Sequence, residues 1–477
     1  MISLIDLKQT ATSECLSEAA LNQLTDKLLA DYIVECSAQS SPIMFAVKRP
    51  FTSYWLPQLT QQEQSQQDRI VFYHLEPRQH NIVVSFAITD QVEKAEALLL
   101  MPDCGLSALR TQLSLAFIAL TSPVRLETVA IAKPWGQEIW YTGIEQRGVS
   151  QISQNGSTLD LPFFLACGFT HIMGTHETKL TLLKILDPLP EPVFGDLYFE
   201  LHQKKQEVYV VTNVAATSWP DGKGAIRFGF SAEKFDCYAD EEDFKSAYLR
   251  AVKNYEKIRR EIDGYFDIER NKQGFALNEP VAVSTLKEWQ KNLPAKLVES
   301  EILLRAQMDS FTQMLPLQQG DVVRVPCYVP HALQHGVRTV EFQTPVYERQ
   351  ILSFCQKVLT QDHWNTQQGL RMAHITSKLD NSFAVLNDDE CAYVERIVDF
   401  DDFEVHRVKI NSAQRYSPAF NRGYMIVMVV EGRIEIGGEL VLINEEASLI
   451  GQLVCNRELI NLQPDQASLC LIAIPKL

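Results

Sequence analysis

The sequence lacks the marks of membrane, secreted and disulfide-rich proteins. No apolar run reaches the roughly 18–20 residues that a membrane-spanning helix needs. The start, MISLIDLKQTATSE, has no basic segment followed by an apolar core, which argues against a secretory leader. The 10 cysteines form no CxxC pair, so we expect free thiols rather than a disulfide framework or a thiolate zinc knuckle. These absences predict a cytoplasmic protein with no membrane contact.

Positive charge is also scarce. The 477 residues include 44 Lys and Arg against 60 Asp and Glu, a net charge of −16. An acidic surface repels nucleic acid and anionic lipid, so neither is expected as the main partner. Hydrophobic residues make up 46% and charged residues 22%, which is an ordinary globular balance, and the length predicts two to four domains.

The first 125 residues predict an α/β extension of unknown role. Apolar residues at helical spacing predict two short helices within residues 1–40. Strand-like runs follow at 70–74 and 81–87, after a polar, glutamine-rich connection at 60–68. No pattern in this region points to a particular chemistry.

Later residues predict two β-rich regions separated by helices. Alternating patterns from residue 126 to about 235 indicate strands, and residues 240–262 predict a long helix capped by Asp240. Further helices are expected at about 284–293 and 298–314. Short strands from residue 393 onward predict a second barrel or sandwich. Hairpin turns are expected there at Glu431-Gly432-Arg433 and Gly437-Gly438.

The segment GDLYFELHQKKQEVYVVT contains the strongest indication of chemistry. Glu200 and His202 are two residues apart on a predicted strand, so their side chains share a face. A tight turn at 203–205 and a return strand would form a hairpin that places Glu207 beside them. His331 follows on a loop that two prolines brace. Such a set suits Zn²⁺, Mn²⁺ or Fe²⁺, although a Glu-x-His pair alone is more often an exposed polar face.

Several motifs in order make the chain resemble type I phosphomannose isomerases, which are zinc-dependent cupin enzymes. The motifs are Lys133-Pro134-Trp135-Gly136, Leu182–Asp187, Leu197–His202, Lys205-Gln206-Glu207, Pro330–Leu333 and Val340–Gln343 followed by Tyr347-Glu348-Arg349. The resemblance covers roughly residues 126–365. It implies a sugar-phosphate isomerase that interconverts mannose 6-phosphate and fructose 6-phosphate.

The resemblance also implies a role for each matched residue. One Zn²⁺ per chain, with Mn²⁺ or Fe²⁺ as alternatives, would be held by Glu200, His202, Glu207 and His331. The implied catalytic residues are Arg349, Lys205 and Glu341. The implied substrate-binding residues are Lys205, Arg349 and Trp135, and for Trp135 core packing is the favoured alternative.

The implied fold is mainly β, with two cupin-like β-barrels, a helical insertion and the α/β N-terminal extension. Residues 126–238 and 315–365 would form the metal-binding cupin domain. Residues 239–314 would be the helical insertion, and residues 366–477 a C-terminal cupin-like barrel without metal. The oligomeric state does not follow from the sequence.

Two departures from the family pattern leave a second function open. Glu200 stands where the family has glutamine, and only two residues separate His202 from Lys205, where the family has a longer loop. An extra carboxylate holds a metal more tightly but weakens its Lewis acidity. The alternative is therefore a cupin protein that binds metal or sugar phosphate without isomerase activity. An Fe²⁺ oxygenase is less favoured, because its usual set has one carboxylate.

Overall fold

The computed structural model describes residues 2–10, 17–52, 67–79, 81–102, 104–145, 148–375, 382–419 and 423–476. Most of the predicted glutamine-rich connection, residues 60–66, lies outside the described residues. No helix in the described part of the chain is long and apolar enough to cross a membrane.

The described chain contains helices and strands in the following order along the sequence. The helices are α1 (Leu7–Thr10), α2 (Glu18–Gln39), α3 (Val92–Leu99), α4 (Leu106–Gln112), α5 (Leu161–Ala166), α6 (Phe169–Met173), α7 (Ala232–Phe235), α8 (Glu241–Gln273), α9 (Val283–Gln290), α10 (Ala295–Asp309) and α11 (Thr366–Met372). The first half of the strands are β1 (Ser3–Asp6), β2 (Ile43–Phe51), β3 (Gln67–Arg78), β4 (Asn81–Thr89), β5 (Ile118–Ala119), β6 (Val124–Glu127), β7 (Val129–Lys133), β8 (Gly136–Trp140), β9 (Ile144–Glu145), β10 (Gly148–Val149), β11 (Gln151–Gln154), β12 (Ser157–Asp160), β13 (Leu182–Pro188), β14 (Phe199–Leu201), β15 (Glu207–Val214) and β16 (Gly224–Phe230). The remaining strands are β17 (Thr312–Leu317), β18 (Val322–Val325), β19 (His331–Leu333), β20 (Val337–Gln343), β21 (Gln350–Ser353), β22 (Ala384–Asp388), β23 (Ala392–Asp399), β24 (Phe403–Ile410), β25 (Arg415–Tyr416), β26 (Met425–Glu431), β27 (Arg433–Ile436), β28 (Leu440–Ile443), β29 (Ala447–Ile450), β30 (Leu459–Asn461) and β31 (Ser468–Pro475).

The chain forms two compact units. The terminal unit contains residues 1–129, 141–181 and 383–477, and the central unit contains residues 130–140 and 182–382. Residues 141–181 thus pack with the chain ends rather than with the strands that carry the predicted metal ligands. The domain boundaries proposed from the sequence stay a prediction.

The central unit is built on two antiparallel sheets. Its six-stranded sheet has the order β18-β15-β20-β13-β8-β7, and its five-stranded sheet has the order β17-β16-β19-β14-β21. The predicted long helix is confirmed as α8, with the Asp240 carboxylate accepting a hydrogen bond from the Asp243 amide at 2.9 Å. The apolar stripe of α8, including Phe244 and Tyr248, is buried in the same core as the strands. Burial of this stripe fixes the helix against the β structure.

The terminal unit contains the α/β extension and a second β-rich region. Strands β1 to β5 form one sheet in sequence order, while β6, β11 and β12 join six C-terminal strands in a nine-stranded sheet. The predicted turn at Gly437-Gly438 is confirmed, since β27 and β28 pair there. The hairpin predicted at Glu431-Gly432-Arg433 is wrong. Gly432, at φ +104°, turns the chain from β26 in the nine-stranded sheet into β27 in a four-stranded one.

These units confirm the predicted fold class. The chain is mainly β with a helical region of three helices, α8 to α10, in the central unit. The arrangement is consistent with the cupin-like barrels that the resemblance implies.

The cap of α8 provides a local test of the fold. Asp240→Ala removes the side-chain acceptor at the helix start, which costs about 1 kcal/mol of helix stability. We expect amide hydrogens in the first turn of α8 to exchange roughly fivefold faster, measured by hydrogen–deuterium exchange. Asp240→Asn keeps an acceptor and should exchange nearly as the unchanged protein does. Equal exchange in all three proteins would contradict the capping role.

Candidate metal centre

The inner face of the six-stranded sheet carries polar residues that are opposite one another in register. On β15, Glu207 faces Gln343 of β20, and two residues further Tyr209 faces Glu341. On the other side of β20, Glu341 faces Lys184 of β13. Since alternate residues of a strand share a face, these side chains enter the interior together, where an unpaired charge is costly.

The predicted hairpin between Glu200 and Glu207 is not present. Strand β14 pairs with β19 and β21 in the five-stranded sheet, whereas β15 belongs to the six-stranded sheet. The short 203–206 segment therefore connects two sheets. The carboxylate of Glu348 accepts hydrogen bonds from the amides of Gln203 and Lys204 at 2.7 and 2.9 Å and holds this connection. The candidate ligands approach one another from two sheets.

Three of the predicted ligands form one compact group. His202, Glu207 and His331 each offer an atom within 4.8 Å of the others, and their exposed fractions are 1–2%. His331 Nδ1 lies 3.1 Å from the Val329 carbonyl, which directs Nε2 toward Glu207 Oε2, also at 3.1 Å. His202 Nε2 lies 3.6 Å from Glu207 Oε1.

Glu200 is adjacent to this group. It is opposite His331 in the β14–β19 pair, and its Oε1 lies 3.8 Å from His202 Nε2. Its Oε2 is buried without a hydrogen-bond partner among the described residues. His202, Glu207 and His331 therefore form one group, and the Glu200 carboxylate lies next to His202.

The donor set fits a divalent metal. Neither ring nitrogen of the buried His202 has a hydrogen-bond partner among the residues that the structure describes. Burial, together with the Lys205 ammonium, lowers the pKa of His202, so its imidazole is neutral. Although burial acts to raise it, the pKa of Glu207 is held well below its ordinary value by the Lys205 ammonium and by the hydrogen bond with His331. A histidine binds Zn²⁺ through a neutral imidazole and a glutamate through an ionised carboxylate.

Lys205 and Tyr209 complete the surroundings of Glu207. Lys205 Nζ lies 2.5 Å from Glu207 Oε1, and its side chain is only 9% exposed. The Tyr209 hydroxyl donates to Glu207 Oε2 at 2.7 Å. Lys205 was selected from the sequence, whereas Tyr209 was not. The signal for Tyr209 is its position two residues after Glu207 on the same strand face.

Arg349 lies on the Glu200 side of the centre. Its guanidinium is 4.9 Å from the centre of the Tyr198 ring, and it donates to Thr360 Oγ1. Burial acts to lower its pKa, but the Glu200 carboxylate and Tyr198 raise it above the ordinary value. Its neighbour in sequence, Glu348, instead accepts hydrogen bonds from the amides of Gln203 and Lys204.

Glu341 belongs to a buried chain of charges that the sequence did not reveal. Its Oε2 lies 3.3 Å from Lys184 Nζ, which is 3.8 Å from Glu138 Oε1. Glu138 in turn contacts Lys133 at 3.0 Å. Burial and the neighbouring Glu207 raise the pKa of Glu341 well above its ordinary value, despite Lys184. A lone lysine in the apolar run LLKILD is the signal that would have identified Lys184.

Trp135 packs in the apolar core of the central unit. It is 1% exposed and belongs to the cluster that includes Phe228 and Tyr248. This is the position of a packing residue, and a role in substrate binding stays a prediction.

Comparison with known proteins finds similarity in structure alone. No protein-family profile and no curated relative matches the chain. Among solved structures, mannose 6-phosphate isomerase from Bacillus subtilis matches with a TM-score of 0.51 at 12% identity, covering 74% of this chain and 99% of that one. A phosphomannose isomerase variant from Salmonella typhimurium matches with a TM-score of 0.52 at 14% identity, covering 75% and 100%. A zinc-bound mannose 6-phosphate isomerase gives 0.52 at 12% identity, covering 75% and 100%.

These matches confirm the predicted resemblance at the level of the fold. The chain is similar in structure to phosphomannose isomerases along the whole length of those proteins. About a quarter of the chain lies outside the similarity. At this identity, activity has to be argued from the residues of the site.

The Tyr209 hydrogen bond can be tested through metal affinity. Tyr209→Phe removes the donor that orients Glu207, and loss of such an outer partner typically weakens metal binding roughly 10- to 100-fold. Competition with a zinc-binding dye measures the affinity. Tyr265→Phe changes an exposed tyrosine of α8 and should leave affinity unaltered. Wild-type affinity in Tyr209→Phe would show that Glu207 does not depend on this contact.

Proposed function

We propose that the chain is a metal-dependent sugar-phosphate isomerase that interconverts mannose 6-phosphate and fructose 6-phosphate. The observation that carries the proposal is the buried His202–Glu207–His331 group, next to the Lys184–Glu341 pair, in a chain with the fold of phosphomannose isomerases. We propose Zn²⁺ as the metal and Glu200 as the fourth ligand. Mn²⁺ and Fe²⁺ suit the same donors.

The reaction requires a proton to move between C1 and C2 of the sugar through a cis-enediolate. When bound, a divalent metal supplies polarisation of the carbonyl and hydroxyl oxygens of the sugar. The chain itself supplies a buried carboxyl group, Glu341, and two cations, Lys205 and Arg349. We propose that Glu341 moves the proton at carbon, since it is buried and its Oε1 has no partner among the described residues.

The two cations have different proposed tasks. Lys205 contacts Glu207 from inside the centre, so a sugar oxygen that accepts from its ammonium would lie next to the metal ligands. Arg349 lies on the Glu200 side, where its guanidinium can pair with the phosphate or with the developing enediolate. Lys184 holds Glu341 in place through the contact of 3.3 Å. Removing Lys184 should therefore disturb the proton transfer and leave the metal bound.

Isomerase activity and metal content test the proposal together. We expect the zinc-loaded protein to convert mannose 6-phosphate to fructose 6-phosphate and, in heavy water, to incorporate deuterium at the carbons involved. His331→Ala should lose both zinc and activity, because one ligand is removed from a buried set. His363→Ala, at an exposed histidine, is the matched control. A zinc-loaded protein with neither turnover nor exchange would favour a binding protein without isomerase activity.

Glu200 gives a second and separate test. Glu200→Gln removes one negative charge from the proposed ligand set, which should weaken zinc binding about tenfold, equivalent to about 1.4 kcal/mol, and raise the Lewis acidity of the metal. Isothermal titration with zinc measures the change. Glu288→Gln removes the same charge from an exposed glutamate of α9 and serves as the control. Unchanged affinity in Glu200→Gln would exclude Glu200 as a ligand.

A further inference from the structure

The helical region of the central unit encloses a cavity that the proposed isomerase chemistry does not use. Its volume is about 300 Å³, which is the lower end of the size range for small-molecule sites. Helices α8, α9 and α10 line it together with the loops at residues 192–194 and 355–359, and with Pro134, Pro280, Val281 and Leu293. None of its described lining residues belongs to the metal group or to the Glu138–Lys184–Glu341 chain. The cavity is therefore a separate candidate site.

Most of the cavity wall is apolar. Phe194, Ile262, Phe266, Val281 and Leu286 line it, and all five belong to one buried hydrophobic cluster of the helical region. Such a wall favours a ligand with an aliphatic or aromatic body, because contact with it removes apolar surface from water. A free sugar, with hydroxyl groups on every carbon, would lose hydrogen bonds to water in this environment.

Cations stand among these apolar residues. Arg259, Arg270, Arg305 and Lys357 line the cavity, whereas Glu301 is its one acidic lining residue among those described. The wall therefore has an excess of positive side chains, although the chain as a whole has a net charge of −16. An anionic group on the ligand would complement it.

Arg259 has a free hydrogen-bond donor at the wall. It is 4% exposed, and it donates through Nε to Asp263 Oδ1 at 2.9 Å and through Nη1 to the Cys355 carbonyl at 3.3 Å. Its Nη2 is buried with no hydrogen-bond partner among the described residues. A buried guanidinium donor left unpaired is costly, and a planar carboxylate is the acceptor that it matches best.

The ion pairs limit the charge of the ligand. Asp263 pairs with Arg259, Glu301 with Arg305 at 3.1 Å, and Asp267 with Lys357 at 2.6 Å. Asp267 also lies 3.8 Å from the remaining cation, Arg270. Three carboxylates therefore balance three of the four cations that line the cavity. One unit of positive charge remains, which suits a monoanion better than a dianionic phosphate ester.

We propose that this cavity binds a small amphipathic monocarboxylate, with its apolar body between α8, α9 and α10 and its carboxylate at the unpaired donor of Arg259. The proposal is independent of the isomerase function, since the two sites share no described lining residue.

Calorimetry on the zinc-loaded full chain tests the cavity with two probes of the same length, octanoate and octan-1-ol. We expect one octanoate to bind per chain, at least tenfold more tightly than octan-1-ol. Arg305→Gln removes the one unit of excess positive charge from the cavity wall, so it should weaken the binding of octanoate at least tenfold and leave the binding of octan-1-ol unchanged. Val298→Trp fills the cavity from α10 and should abolish binding of both. Circular dichroism reports whether each variant is folded.

Lys296→Gln is the matched control, because it removes the same charge from α10 at an exposed position outside the cavity wall. Octanoate affinity should be unchanged in this variant. If Lys296→Gln lost as much octanoate affinity as Arg305→Gln, octanoate would be attracted by the general surface charge of the protein, and the proposal would be overturned. Equal affinity for octanoate and octan-1-ol, or binding of neither by the folded chain, would also overturn it.

Discussion

The buried carboxylate of Glu207 is the group around which the central unit is organised. An ionised carboxylate that is 2% exposed needs strong partners, because the desolvation cost of an isolated charge exceeds what the fold can supply. Lys205, Tyr209 and His331 provide those partners within 3.1 Å. The same contacts keep Glu207 ionised and hold His331 in a fixed orientation. The candidate metal centre and a stable interior therefore depend on one set of interactions.

The buried chain of Lys133, Glu138, Lys184 and Glu341 also stabilises its charges by mutual contact, but with a different consequence. Glu138, held at a pKa of about 2 by Lys184 and Lys133 although burial acts to raise it, neutralises part of the lysine charge. Glu341, at the other end of this chain, lies beside Glu207, and its pKa is raised. Two carboxyl groups close together in a low-dielectric interior do not ionise equally. The site thus combines an anionic candidate metal ligand with a neighbouring carboxyl group whose pKa is raised.

The helical region adds a different environment to the same unit. Its cavity has an apolar wall with an excess of positive charge, whereas the candidate metal centre is polar and contains charges of both signs. Ligands that suit one would be poorly accommodated by the other. The two candidate sites can therefore be examined by separate variants, and neither assignment depends on the success of the other.

Local sequence determined much of the secondary structure and the identity of the candidate ligands. The stripe and cap of α8, the strands near residues 70 and 81, and the Gly437-Gly438 turn follow from periodicity and turn chemistry. The ordered motifs likewise placed His202, Glu207 and His331 in one predicted set. These features depend on residues that are close in sequence, so they can be predicted without knowledge of the tertiary structure.

Only the tertiary structure decided how those residues meet. His202 directly follows β14 of the five-stranded sheet, whereas Glu207 begins β15 of the six-stranded sheet. They do not share one hairpin, because the strands pair with distant partners rather than with each other across the short connection. Strand register likewise places three further residues at the site, because each lies opposite a residue that is far away in sequence. These residues are Lys184, Glu138 and Tyr209. The cavity between α8, α9 and α10 could be recognised only in the folded chain. The spacing of residues in the sequence does not show where packed helices leave a space between them.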